Sequence, residues 1–226
     1  MPELPEVETT RRGIAPYVEG ETVNAIIIRE RQLRWPIPNQ LKRSLKTQKI
    51  HKLERRAKYL LFYTDTGCLI LHLGMSGSLR IINDNQAAEK HDHVDIIFEP
   101  GHRLRFHDPR KFGAVLWTKD DPYQHKLISK LGPEPLSKEF NTEYLLQRSR
   151  QRTQAIKTFI MDSHVVVGVG NIYANEALFI AGIHPRQKAG KISKTRYEKI
   201  LTAIKQVLKK AIKKGQESTG KRPFKK

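Results

Sequence analysis

The stretch YLLFYTDTGCLILHL, residues 59–73, decides how the first half of the chain is read. Two apolar runs rich in aromatic and branched side chains flank TDTG, a polar tetrad ending in glycine, and this predicts a β-hairpin. Working outward, short runs of the same kind recur at 23–29, 79–82, 94–98, 104–107 and 114–117, with turn residues between them. Short strands punctuated in this way predict an antiparallel sandwich or flattened barrel. Past LGPEPLS (131–137) the pattern changes. NTEYLLQRSRQRTQAIKTFIMD (141–162) reads as helix broken near Arg150. Beyond Ser193, residues Tyr197, Ile200, Leu201, Ile204, Leu208 and Ile212 recur at helical spacing with lysines opposite. Ser193 is the expected N-cap and Gly215 the expected stop. Pro133 and Pro135 mark the boundary between the halves, and no internal repeat is visible.

At 226 residues the chain is long enough for one or two domains with their own cores. A single cysteine, Cys68, excludes an internal disulfide and any cysteine-rich zinc site, and reads as a reduced core thiol. No apolar stretch approaches the roughly 20 residues of a membrane span, and the N-terminus lacks the apolar core of a signal peptide. A cytoplasmic protein is expected. The formal charge is +19, and it is unevenly spread. From Arg186 to Lys226 there are fifteen Lys or Arg against two acids, a net +13 that leaves only +6 for the rest. Such an excess points to a polyanionic partner, nucleic acid first and an anionic membrane surface second.

Against this charge, the opening MPELPEVETTRRGI is acidic. It reads as a helix start, with Pro5 tolerated in the first turn and Glu3, Glu6 and Glu8 favoured by the helix dipole. It also admits a chemical reading. Removal of Met1 would leave Pro2 with a secondary amine, which forms a permanently charged iminium with a sugar C1′, and Glu3 could move protons at the same carbon. In RRAKYLL (55–61), Lys58 stands at the entrance to an apolar strand, where a surface lysine is common. HDHVD (91–95) places His91, His93 and Asp95 on one strand face, opposite Val94 and Ile96. That set is a weak metal pattern, a polar surface or a phosphate contact. LGMSGSLR and DPRKFG are glycine-punctuated loops carrying Met75, Arg110 and Phe112; the Met and Phe read as core residues or, on exposed loops, as wedges for a base stack. VVVGVGNIYANEALF (165–179) is not a dinucleotide fingerprint, because its third glycine position is Tyr173. It predicts a turn into a helix whose backbone N–H groups and Asn171 could hold a phosphate.

Together MPELPEVETTRRGI, RRAKYLL, LHLGMSGSLR, KHDHVD, DPRKFGA, LGPEPL and GVGNIYANEALF with AGIHP resemble formamidopyrimidine-DNA glycosylase, a bacterial enzyme of oxidised-purine repair, from residue 1 to about 214. The resemblance implies an α+β fold. An N-terminal antiparallel β-sandwich with a long N-terminal helix (1–131) would be followed by an all-α helix–two-turn–helix domain (132–215), with DNA across the cleft between them. A basic tail (216–226) would follow. It implies removal of 8-oxoguanine and formamidopyrimidines from damaged double-stranded DNA with cleavage at the abasic site, by a monomer associated with the nucleoid. By the same resemblance, Pro2 attacks C1′ of the flipped nucleotide, Glu3 transfers protons at the sugar and Lys58 supports β-elimination. Met75, Arg110 and Phe112 fill the gap in the stack, with Arg110 facing the orphaned base. His91, Arg152, Lys157 and Asn171 contact phosphates.

The sequence departs from the family where it ends in KKGQESTGKRPFKK. Set against the family, this stretch is expected to lack the zinc hairpin and the loop that covers the flipped base, so no bound zinc or other cofactor is expected, and base selectivity and δ-elimination are in doubt. Two expectations follow: a weakened glycosylase and lyase whose lysine-rich tail replaces lost phosphate contacts, or an impaired truncated homologue that only binds DNA.

Overall fold

The computed structural model describes residues 2–83, 86–98 and 101–219. The chain divides into two compact units, one of Val7–Ser129 with Pro2, the other of the residues from Lys130 onward with Glu3–Glu6. Helix and antiparallel sheet are mixed, as the sequence predicts.

The first unit holds two four-stranded antiparallel sheets. One has the order β1 (Val23–Ile28), β6 (Asp92–Phe98), β7 (His102–His107), β5 (Ser78–Asn83); the other runs β2 (Lys52–Arg56), β3 (Tyr59–Tyr63), β4 (Cys68–His72), β8 (Ala114–Thr118). The 59–73 stretch forms the expected hairpin, with Tyr63 paired to Cys68 across the TDTG turn. One apolar core draws on both sheets, through Leu60, Phe62, Leu69 and Leu71 from one and Val94, Ile96, Leu104 and Phe106 from the other. Val7, Ile14 and Val18 of helix α1 (Leu4–Val18) join it, as do Leu41 and Leu45 of the short helix α2 (Leu41–Leu45). Strand β2 is not visible in the sequence. Four of its five residues are charged and only Leu53 is buried, so pairing with β3 defines it.

The alternation expected for HDHVD is corrected. A β-bulge between Asp92 and Val94 inserts an extra residue, and every residue from Asp92 to Ile96 is buried. Asp92 and Asp95 both reach Arg105, while the His93 ring donates through Nε2 to the Asp108 carbonyl at 2.7 Å. His91 precedes the strand.

The described elements of the second unit are helices. The segment near Arg150 breaks as expected, into α3 (Thr142–Ser149), capped by the Asn141 side chain, and α4 (Ile156–Met161). Then follow α5 (Asn171–Ala181) and α6 (Lys194–Thr219). The core is built from Phe159, Ile160, Leu178, Tyr197, Ile200, Ile204 and Leu208, so the apolar stripe after Ser193 faces inward. Gly215 does not end α6, which continues to Thr219; a glycine inside a helix costs about 1 kcal/mol relative to alanine and need not stop it. Residues 220–226 of the expected tail lie outside the described residues. Among the described residues, no helix is long and apolar enough to cross a membrane.

Candidate functional site

Pro2 is half-buried and Glu3 is 4% exposed. The Glu3 backbone N–H donates to Glu6 Oε2 at 2.9 Å, and Tyr173 Oη donates to Glu6 Oε1 at 2.7 Å. The Glu3 carboxylate accepts the N–H of Gly170 at 3.1 Å and of Ile172 at 3.4 Å. It therefore sits on the N-terminus of α5, where unpaired amides and the helix dipole favour an anion. Gly170 makes this approach possible: a Cβ there would lie 2.1–2.5 Å from the carboxylate atoms of Glu3. The expectation that these amides hold a phosphate is thus corrected, since a protein carboxylate takes them. The Asn171 side chain, on the first residue of α5, is exposed.

The two glycine-punctuated loops of the first unit come together. Met75 is 40% exposed and Phe112 42%, and the Arg110 guanidinium lies 4.9 Å from the Phe112 ring centroid. These are large side chains presented to solvent, contrary to a core reading. Gly74, at φ +68°, lets the first loop press on the second, because a Cβ there would stand 2.4 Å from the Phe112 carbonyl carbon.

Lys58 is the second residue of the two-residue turn into β3, after Ala57, whose backbone adopts φ +54°. His72, not singled out from the sequence, is its neighbour in charge. Burial disfavours the imidazolium, and the charges of Lys58 and Arg34 add to that, bringing the His72 pKa down to about 4. The neutral ring lies 4.7 Å from that of Tyr59, and its Nδ1 accepts the Gly74 N–H at 2.9 Å. The signal available in the sequence is a lone polar residue closing an apolar strand directly before LGMSG. His91 is half-buried, its ring edge-on to His93 and His107 at 6.4 and 5.9 Å.

Asp92 and Asp95 belong to an ion-pair network rather than to the histidine set the sequence suggested. Asp95 accepts from Arg105 at 2.8 Å, Arg29 at 2.7 Å and Arg103 at 3.2 Å. Burial alone would raise its pKa, but the hydrogen bonds and charges of Arg105 and Arg29 drive it well below the ordinary carboxylate range. Glu89, Asp92 and His107 are the one trio of potential metal ligands found among the described residues. The Asp92 oxygens are already engaged by Arg80, Arg105, His107 and the Glu89 N–H. In the second unit Arg152 is exposed in the turn after α3, beside Gln151 at φ +61°, and Lys157 lies half-buried in the first turn of α4. Arg152, Lys157 and Asn171 thus stand on three separate segments of that unit.

Comparison with known proteins gives a consistent result. Residues 1–115 match the formamidopyrimidine-DNA glycosylase N-terminal domain and residues 131–222 the formamidopyrimidine-DNA glycosylase H2TH domain. A formamidopyrimidine-DNA glycosylase of Marinobacter nauticus is 58% identical over 212 residues, covering 94% of this chain and 78% of the relative. One of Pseudomonas putida is 59% identical over 215 residues, covering 95% of this chain and 79% of the relative. Among solved structures, the Lactococcus lactis formamidopyrimidine DNA glycosylase non-covalently bound to DNA containing an AP site superposes with a TM-score of 0.89 at 33% identity, covering 96% of this chain and 84% of that one.

Proposed function

The chain belongs to the formamidopyrimidine-DNA glycosylase family, and from that premise we propose that it is a base-excision repair enzyme that removes oxidised purines from damaged double-stranded DNA and cleaves the strand at the abasic site. The observation that carries this reading is the seat of Glu3. Its backbone and carboxylate are both fixed, and Pro2 is the residue directly attached to it. Fixing Glu3 restricts the freedom of the adjoining Pro2, whose secondary amine is the group that would attack C1′. The amine nitrogen bonds to C1′ as the base leaves, and Glu3 exchanges the proton needed to open the sugar into an iminium. Loss of a C2′ proton, supported by Lys58, then expels the 3′-phosphate. A base inside a duplex must first be unstacked, at about a few kcal/mol. Met75, Arg110 and Phe112 fill the vacated stack, and His91, Arg152, Lys157 and Asn171 hold phosphates.

We read the two sheets as a β-sandwich catalytic domain over 1–131 and the helices of 132–215 as a helix–two-turn–helix DNA-binding domain, working as a monomer in the bacterial cytoplasm. The residues present do not fit a cysteine-held zinc: Cys68 is the single cysteine, it is buried, and burial, then the charges of Glu54 and Asp121, push its thiol up to about 12. No step is routed through a metal.

Borohydride trapping on a duplex with one abasic site tests the scheme. The wild-type chain is expected to form a covalent adduct, and Glu3→Gln to slow trapping about 10²–10⁴-fold. Pro2→Leu, whose bulk keeps Met1 in place and leaves residue 2 with an amide nitrogen, should abolish the adduct. No wild-type adduct, or one formed equally fast by Pro2→Leu, would overturn the scheme and favour a homologue that only binds DNA.

A further inference from the structure

The three exposed loop residues lie on two loops, Met75 on 74–77 and Arg110 with Phe112 on 108–113, and one buried side chain touches both. Asp108 is fully buried. Its Oδ1 accepts the Ser76 hydroxyl at 2.7 Å and the Arg110 N–H at 3.3 Å, and its Oδ2 accepts the Gly113 N–H at 2.8 Å. The Arg110 N–H is shared with Ser76 Oγ, also at 3.3 Å. The Asp108 main chain is fixed as well, its N–H donating to the His91 carbonyl at 3.0 Å and its carbonyl receiving His93. One carboxylate thus sets the start and end of the second loop and its distance from the first.

We propose that Asp108 is the positioning residue for base extrusion, holding Met75, Arg110 and Phe112 as one preformed wedge through Ser76 and Gly113. This rests on the wedge reading given above. Large side chains on short exposed loops lose rotamer and backbone freedom when they enter a base stack, and a preformed loop pair reduces that cost. An ionised carboxylate suits the task, because it only accepts and all three partners donate. In Asp108→Asn the amide nitrogen must face either Ser76 or the Gly113 N–H. Facing Ser76, it also meets the Arg110 N–H that Oδ1 accepts; facing Gly113, it meets that N–H; either way a donor is set against a donor. Asp108 does not touch the reacting atoms, so its contribution is confined to substrates whose nucleotide must leave a stack.

The test is the ratio of two single-turnover cleavage rates, on an abasic site in a fully paired duplex and on the same site in a single-stranded oligonucleotide, measured for wild type, Asp108→Asn, Ser76→Ala and Met75→Ala. Asp108→Asn is expected to lower the duplex to single-strand ratio about 10- to 100-fold, and Ser76→Ala a few-fold. Met75→Ala, which alters the wedge itself, should lower it too. If Met75→Ala lowers the ratio while Asp108→Asn and Ser76→Ala do not, the role of Asp108 is overturned and the wedge stands. If Met75→Ala leaves the ratio intact, the wedge reading fails and the proposal falls with it. Should Asp108→Asn unfold, Ser76→Ala decides, because it cuts only the bridge between loops. An equal loss on both substrates marks a merely structural residue and overturns the proposal.

Discussion

Glu3 and Glu8 lie in the same N-terminal segment, both are buried, and they are held in opposite ways. Glu8 belongs with the sheets and is gripped by Arg11 at 2.9 Å, Arg12 at 2.6 Å and Arg55 at 3.0 Å. Burial alone would raise its pKa, yet the hydrogen bonds of Arg11 and Arg12 and the charges of Arg11 and Arg55 win and hold it at about 2. Asp95, among Arg29, Arg103 and Arg105, repeats that solution. Glu3 groups with the helices, and its carboxylate accepts backbone amides at the N-terminus of α5. Guanidinium partners keep a carboxylate charged and cross-link strands and helices. Backbone amides of a helix end fix where a carboxylate is, to within the room that one glycine leaves. The first arrangement serves folding, and the second serves placement.

The largest effect that can break this division lies in the arginine-held class. Asp95→Ala takes from Arg105, 1% exposed, its two 2.8 Å carboxylate contacts and leaves it the longer 3.3 Å contact to Asp92, so a loss of about 3 kcal/mol in urea unfolding is expected. A loss below about 1 kcal/mol would show that the network is surface decoration. Next comes the amide-held class. Gly170→Ala forces the Glu3 carboxylate away from α5, with an expected stability loss of about 1–3 kcal/mol. Its abasic-site cleavage should fall about 100-fold, since a misplacement of about 1 Å costs that much. A variant that is destabilised but cleaves at the wild-type rate would put Glu3 in the same class as Glu8.

How much of this was legible beforehand depended on the range of each signal. Residues 59–73 declared their hairpin because two apolar runs and a turn are local facts, and the stripe from Tyr197 to Ile212 declared its buried face for the same reason. Strand β2 was hidden because its charged residues make sense only beside β3. The bulge at Asp92 was hidden because one extra residue changes which side chains share a face without changing composition. At the candidate site, Glu3, Met75 and Phe112 were singled out from their own segments and again by the family resemblance, while His72 and Asp108 emerge only from contacts. The seat of Glu3 on Gly170, 167 positions away, has no local signature at all.

The smallest effect is the one that separates charge from packing within the arginine-held class. Glu8 has a folded-state pKa of about 2 against an ordinary 4.5, so its contribution is fully present above pH 4.5 and is lost as the pH falls through 2. Arg12 is 42% exposed and Arg11 25%, so solvent screens part of the attraction, and about 1–3 kcal/mol is the expected size at pH 7. Glu8→Gln keeps the shape and removes the charge. Its deficit relative to wild type should therefore be full at pH 7, shrink between pH 4.5 and 2, and vanish below. Urea unfolding of the two proteins across that range reads the deficit directly. A deficit that stays constant down to pH 2 would mean that the Glu8 side chain contributes by packing. The contrast with Glu3 would then rest on Asp95 alone.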